Sequence, residues 1–439
     1  MTKYKKYKPS GIEWIGEIPE HWEEKKIKYV LKVHSGNGFP NEEQGKLNGK
    51  YPFYKVSDIN GDSIFVEKAN NYVSEIIVLQ HKWNIIPIKS VIAAKIGEAL
   101  KKNHRKITTL ECIIDNNCIG LEPKNIEFRY NYYYQTIIDY EWFSNPGAIP
   151  SLSTDKFLTF SIAISNSYKE QTQIVNYLDR KTAQIDNLIA KKQLLIKLLE
   201  EEKTAVINEA ITKGINPNIK LKDSGIEWLG KIPEHWEVKK LKYVAQANPS
   251  NIDKKSKEDE EQVKLCNYID VYKNDFIDNK IDFMVATASE SQIAKFTLEK
   301  GDVISTKDSE TPDDIGNAAL VVDELTNVVC GYHLTHIKPT KVNGDFLFRF
   351  FQSRYLNSYF EVSANGVTRF GLGVDKFTSA QILLPQSVEQ IEIVSHIQKE
   401  TTRIKKTIET TKKLIELLKE YRTAVISEAV TGKIKVFED

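Results

Sequence analysis

A single motif, used twice, decides what this chain can fold into. Ser10-Gly11-Ile12-Glu13-Trp14-Ile15-Gly16 continues through Ile18-Pro19-Glu20-His21-Trp22-Glu23 to Lys28-Tyr29-Val30. It returns as Ser224-Gly225-Ile226-Glu227-Trp228-Leu229-Gly230, then Ile232-Pro233-Glu234-His235-Trp236-Glu237 and Lys242-Tyr243-Val244. Aligning 9–30 with 223–244 gives 22 pairs, of which 5 differ (9/223, 15/229, 17/231, 24/238 and 27/241), leaving 17 identical. Two of the five are Ile/Leu exchanges. Chance does not produce that, so the chain is a tandem duplication with a period of 223 − 9 = 214 residues. Such a period is far longer than a solenoid repeat and has the length of an ordinary domain. Each half can bury its own core, and 439 residues suggest two to four domains.

Each copy of the motif is followed by the same two textures. Residues 31–165 lean towards strands, with β-branched and aromatic runs at 51–56, 76–79, 85–88, 91–94, 113–115 and 160–164 cut by Gly, Asn, Asp and Pro. A helix is predicted over 127–140. From 171 to 212 there is neither Gly nor Pro, and apolar residues recur at heptad spacing on a helix of roughly 60 Å. Position a holds Leu178, Ile185, Lys192, Leu199 and Val206; position d holds Ile174, Lys181, Leu188, Leu195 and Glu202. Gly214 and Pro217 end it. The second half repeats the order, with strands over 245–386 and a Gly- and Pro-free helix over 388–431. There a reads Ile397, Ile404, Thr411, Leu418, Val425 and d reads Ile393, Glu400, Thr407, Leu414, Tyr421. Both helices close on one shared run: Thr204-Ala205-Val206-Ile207, Glu209-Ala210 and Thr212 match Thr423-Ala424-Val425-Ile426, Glu428-Ala429 and Thr431.

A lone helix of this kind is ordinarily a core helix or a self-associating coiled coil. Two copies in one chain have a more economical solution, pairing with each other around an internal pseudo-two-fold. A two-fold perpendicular to the pair makes them antiparallel, with a globular module at each end of a dumbbell. The expected class is α+β, two strand-rich modules joined by two long antiparallel coiled-coil helices, divided as 1–168, 169–214, 215–387 and 388–439. The expected helix-pair core is Leu178, Ile185, Leu199 and Val206 with Ile397, Ile404, Leu418 and Val425. Between the modules themselves only an outline is shared, such as Asp155-Lys156-Phe157 with Asp375-Lys376-Phe377. A common frame with two unlike modules follows.

Composition narrows the function. The 61 basic and 60 acidic side chains nearly cancel, which excludes a polycation coating nucleic acid by bulk charge but leaves room for local basic faces. Four cysteines without a CxxC pair (Cys112, Cys118, Cys266, Cys330) suit a reducing compartment. No apolar run reaches 18 residues, and the Lys- and Tyr-rich start, residues 1–8, lacks the apolar core of a secretory signal. A cytoplasmic protein without a membrane partner is expected.

Reactive constellations are absent from the sequence. There is no GxxxxGK[ST], HExxH or GxSxG; Gly371-Leu372-Gly373 lacks the third glycine of a dinucleotide loop. Asn145-Pro146-Gly147 and Asn216-Pro217-Asn218 do not match an amino-methyltransferase loop, and no Glu-x-Lys follows Pro312-Asp313-Asp314 at useful range. Cys330-x2-His333-x2-His336 has metal-ligand residue types, yet 328–337 reads as one strand, on which positions three apart face opposite sides. No metal is expected. Binding is better supported: Lys95, Lys101, Lys102, Arg105 and Lys106 in the first half, and Lys307, Ser309, Thr368 and Arg369 in the second, lie in loops of the kind that contact phosphates and base edges. Taken singly, each cluster also reads as solvated surface.

The doubled Ser-Gly-Ile-Glu-Trp-(Ile/Leu)-Gly-x-Ile-Pro-Glu-His-Trp-Glu, the two strand-rich modules and the two helices ending in Thr-Ala-Val-Ile-x-Glu-Ala resemble the specificity subunit of a Type I DNA restriction-modification system, along essentially the whole chain. The resemblance implies a non-catalytic bacterial or archaeal protein with two target-recognition domains, each reading half of a bipartite sequence in double-stranded DNA. It implies helices that set the gap between half-sites and receive two modification (methyltransferase) subunits, with restriction/translocase subunits joining. S-adenosylmethionine, ATP and Mg belong to those partners. DNA contacts are implied in loops like 95–106, 145–153 (with Ser151), 305–311 and 366–373. A protein-binding scaffold and a fused DNA-modifying enzyme are the competing classes. Trp14, Trp22, Trp228 and Trp236, being the same in both copies, are expected to lock each module to the frame or to face equivalent partner subunits.

Overall fold

The computed structural model describes residues 2–437 except 62, 146, 148, 227 and 228; of the candidate site residues, Trp228 lies outside this set. Two helices run through the stretches free of Gly and Pro: α1, Tyr168–Lys213, of 46 residues, and α2, Ser387–Val430, of 44. Packing divides the chain into two compact units, 1–192 with 413–439, and 193–412. Both boundaries fall inside the long helices, so each half-helix belongs to the module it covers instead of forming a segment of its own.

Within each unit the half-helices are antiparallel. In the first, Arg422 binds Asp186 at 2.8 Å and Tyr177 feels the charge of Glu428. In the second, Leu199 packs with Ile404 and Ile408, and Ile207 shares a core with Ile397. Leu178, Ile185, Leu199, Ile397, Ile404 and Val425 are buried, and Val206 and Leu418 half-buried. The row beside them differs from expectation. Leu188, Leu195, Leu414 and Tyr421, assigned to d, are exposed, whereas Thr182, Ile408 and Ile415 are buried. The buried steps 404, 408, 411, 415 keep the alternating three- and four-residue spacing of a heptad, with e and not d as the row beside a. On α1 an apolar residue flanks position a on both sides (Leu188 or Ile189, Leu195 or Ile196), so periodicity did not separate the two rows.

The modules share a strand order that their sequences conceal. In the first unit an antiparallel sheet runs Leu31–Ser35, Cys118–Pro123, Val91–Ala94, Arg105–Ile107. In the second it runs Ala245–Pro249, Leu334–Pro339, Val303–Thr306, Ala318–Val321, extended by Phe276–Ile277 in parallel. Leu31 faces Pro123 just as Ala245 faces Pro339. A second sheet repeats too: Tyr51–Tyr54 and Glu261–Cys266 each have one antiparallel and one parallel neighbour. One predicted strand is a helix, Glu75–Gln80, because the Ser74 hydroxyl caps it by accepting from the Ile77 amide.

The repeated motif is the joint between module and helices. Trp22 and Trp236 are fully buried. His21 Nε2 lies 2.9 Å from Glu170, in the first turn of α1, and His235 Nε2 lies 2.8 Å from Glu389, in the first turn of α2. The next residue repeats as well. Gln171 donates to the Ser165 carbonyl (2.7 Å) and accepts from the Glu127 amide (2.7 Å); Gln390 does the same with Pro385 and Asn343 (2.8 Å each). In the first unit Trp22 and Pro19 close over Gly432, just past α2, where φ is +76° and a Cβ would sit 2.5 Å from the proline ring. The shared C-terminal run is explained by the same packing: Ile207 and Ala210 in one unit, Ile426 and Ala429 in the other, lie in the module core.

Gly432→Ala should therefore lower stability by about 1–3 kcal/mol, and more than Gly214→Ala, whose nearest contacts would be an ordinary 3.4 Å; urea unfolding of the two variants measures the difference. A second expectation concerns acid. Burial alone would raise the Glu170 carboxyl, but hydrogen bonds from Ser165, Tyr4, His21 and Trp22 outweigh it and hold the group below its ordinary value. Its stabilisation is complete above the unfolded carboxylate value, about pH 4.3, and is lost as pH falls through the lower folded value. The stability gap between the wild type and Glu170→Gln should thus be full at pH 7 and shrink below about pH 4; a gap independent of pH would contradict it.

Candidate nucleic-acid interface

In each module one strand of the main sheet runs out at a lysine. Lys95 follows Val91–Ala94 and Lys307 follows Val303–Thr306. Their main chains are bonded alike. The Lys95 carbonyl accepts from the Leu152 amide (2.9 Å) and the Lys307 carbonyl from the Leu372 amide (2.7 Å). Their amides donate to the carbonyls of Asn117 (2.8 Å) and His333 (3.0 Å). A small ribbon docks there in both: Ser144–Asn145 with Ser151–Leu152, and Asn365–Gly366 with Phe370–Gly371. Ile96 bridges to Ser151 where Asp308 pairs with Gly371. Two residues back from these, Ile149 stands where Arg369 stands. The loops singled out in the sequence, 95–106 with 145–153 and 305–311 with 366–373, are thus brought together, one pair in each unit.

Individual residues fare differently. Lys95 and Ser151 are half-buried at the ribbon, and Lys101 and Lys102 are exposed, Lys101 bound to Glu98 at 2.7 Å. Arg105 and Lys106 are corrections: each is only 4% exposed. The Arg105 guanidinium donates to the carbonyls of Asn103 and Ile138 and lies 3.8 Å from the centre of the Tyr140 ring. Burial depresses its proton affinity. It supports the 103–140 region from within and does not face solvent. Lys106 donates to the Ser63 carbonyl and forms part of the wall of a cavity of about 470 Å3 with Ser57, Asp58, Asn60, Lys68 and Asn70. Both sit in the strand Arg105–Ile107, whose three side chains are all buried.

In the second unit Ser309 is also buried, its hydroxyl accepting from the Thr311 amide. Lys307 is half-buried; its amine donates to the Ser250 carbonyl (2.9 Å), lies 4.8 Å from the Tyr332 ring centre, and is pushed down by burial. Thr368 and Arg369 are exposed at the ribbon turn. Asp308 and His333, which the sequence did not single out for this role, join them. His333 Nδ1 lies 2.7 Å from one Asp308 oxygen and Arg369 Nη2 lies 2.5 Å from the other. Trp14 stacks on Phe160 and is partly buried, which with Trp22 and Trp236 makes the described motif tryptophans parts of the joint.

The cysteine-histidine segment is two strands, not one. Val328–Cys330 and Leu334–Pro339 are separated by a turn in which His333 has φ +72°. His336 is buried against Asp302 at 2.7 Å. Burial raises the thiols of all four cysteines, opposite to what a thiolate nucleophile requires. Among the described residues no group of three or more His, Cys, Asp or Glu is placed to hold a metal ion, and no helix is long and apolar enough to cross a membrane.

The family model of the type I restriction modification DNA specificity domain matches residues 19–198 and 233–420. The type I restriction enzyme MjaVIII specificity subunit of Methanocaldococcus jannaschii is 23% identical, over 95% of this chain and 94% of its own length. A solved chain from work on complex assembly and conformational transition of the type I R-M system superposes with a TM-score of 0.71 at 13% identity, covering 95% of this chain and 99% of the other. The HsdS subunit of Thermoanaerobacter tengcongensis gives a TM-score of 0.58 at 13% identity, covering 95% and 98%.

The burial predicts a split between basic residues that looked alike in sequence. Arg105→Met should cost about 2–4 kcal/mol, since it strands a buried carbonyl and removes the cation over Tyr140. Lys101→Ala and Lys102→Ala should stay within about 0.5 kcal/mol of wild type. Thermal unfolding of the three variants checks this.

Proposed function

Because the chain belongs to the type I restriction modification DNA specificity family, we propose that its two units read the unlike halves of a bipartite, asymmetric DNA target. The chain is the non-catalytic specificity subunit of such a system. One observation carries the asymmetric reading: joint, helix turn and strand order are the same in both units, while the ribbon side chains are Ile96 and Ile149 in one and Asp308 and Arg369 in the other. Equivalent frames suit equivalent partners; unlike ribbons suit unlike half-sites.

The partners are double-stranded DNA, two modification subunits and the restriction/translocase subunits that join them. S-adenosylmethionine, ATP and Mg act on those partners, and the target adenine is flipped into the methyltransferase. Each unit leaves an apolar row uncovered on its half-helices: Leu194, Leu195 and Leu198 in the second, Leu414, Leu417 and Tyr421 in the first. Rows of this kind mark protein contact surfaces, and one per unit supports two modification subunits. The helices, which contribute residues to both units, are the ruler that sets the gap between half-sites. The protein acts in the cytoplasm of a bacterial or archaeal cell.

Footprinting of the chain assembled with its modification subunits should show two protected segments of different sequence at a fixed gap. Protection indifferent to sequence overturns the reading. Inserting four residues into each helix should change the preferred gap and leave the half-sites intact; altered half-sites would contradict the ruler. Lys95→Ala should weaken methylation through one half-site only, read on targets varied one base pair at a time.

A further inference from the structure

We propose that Arg369 is a specificity-determining residue that reads a guanine in the major groove of the half-site taken by the second unit. This rests on the DNA-recognition reading above. Arg369 is 59% exposed, yet its guanidinium is anchored: Nη2 donates to Asp308 Oδ1 at 2.5 Å, and the other oxygen of Asp308, a side chain only 16% exposed, is held by His333 Nδ1 at 2.7 Å. Nε and Nη1 have no partner among the described residues. Nη2 also lies 3.1 Å from His333 Nδ1, so what projects from the ribbon is an oriented guanidinium edge that offers Nε or Nη1 together with the second N–H of Nη2.

Two features separate a base reader from a phosphate contact here. The carboxylate of Asp308 offsets the arginine's charge while leaving donors free, which weakens attraction to a phosphate and preserves a hydrogen-bond pattern. In the major groove that pattern matches the two acceptors of guanine, O6 and N7, whereas adenine pairs its N7 acceptor with an N6 donor. The ribbon is also fixed. Gly366 has φ +151°, and a Cβ there would lie 1.9 Å from the Arg369 carbonyl oxygen. The ribbon turn therefore closes against a backbone position that only glycine supplies. Asp308–Ser309 forms the third strand of the same ribbon. At the matching place in the first unit stand Ile96 and Ile149, which have no donors, so no guanine is demanded by that ribbon at that position.

The test is methylation by the full chain assembled with its modification subunits, on a library of DNA targets. The wild-type motif should require guanine at one position of the half-site read by the second unit. Arg369→Gln should relax that position alone, losing on the order of 10- to 100-fold discrimination, with the rest of the motif unchanged. Arg369→Lys keeps the charge but not the fork and should relax it as well. Asp308→Asn should relax the same position in part; if that variant unfolds on a thermal melt, the two arginine variants still decide, because their side chain is exposed. An unchanged motif in Arg369→Gln overturns the inference, as does a uniform loss on all targets that lysine restores, the behaviour of a phosphate contact. A wild-type complex that methylates without sequence preference sinks the recognition reading and this inference together. A specific wild-type motif untouched by Arg369→Gln sinks this inference alone.

Discussion

A carboxylate in the first turn of each long helix, bonded to the histidine of the repeated motif, is the interaction on which the rest of the protein depends. Glu170 with His21, and Glu389 with His235, tie the helix N-terminus of each unit to the buried tryptophan beside it. An acidic side chain there also complements the helix dipole. The adjacent Gln171 and Gln390 carry the tie onward to the next short helix of the same module. The first unit adds Tyr4 and Trp22 to the Glu170 carboxyl. In the second, the indole nitrogen of Trp236 is buried with no partner among the described residues. The joints are equal in plan and unequal in hydrogen bonding.

A fixed joint explains how the modules could diverge. The strand order and the lysine-ended strand are held by main-chain bonds, which ask little of side-chain identity beyond burial and alternation. Ribbon side chains were then free to differ, and they differ in kind: an aliphatic pair in one unit and a histidine-buttressed ion pair in the other. Charge is placed locally, so a net balance of +1 is compatible with DNA recognition. Much of the phosphate binding can reside on partners, leaving this chain to supply discrimination.

The candidate site was half legible. Glycine and basic residues pointed to its loops, which the fold brings together in pairs, but not to which side chains within them face outward. Arg105 and Lys106 belong to the same Lys-Lys-Asn-His-Arg-Lys run as Lys101 and Lys102, and nothing local distinguishes them. They are buried because the run crosses from a short helix into a strand, where Tyr140 and the carbonyls of Ile138 and Ser63 wait from far along the chain. Asp308 and His333 were missed for the converse reason, 25 residues apart and joined only by folding. Glu170-Gln171 and Glu389-Gln390 did leave a signal, an identical dipeptide at the same place in both helices.

The sequence by itself determined the duplication, the two long helices, the strand-rich modules and the absence of recognisable catalytic motifs. These follow from identity, periodicity and the positions of Gly and Pro, which act over a few neighbouring residues. Only the tertiary structure decided which helix row is buried, that two dissimilar modules share one strand order, and which basic side chains face outward. Each of those depends on partners distant in sequence, and where two apolar rows flank the same position, burial goes to the one that packing covers.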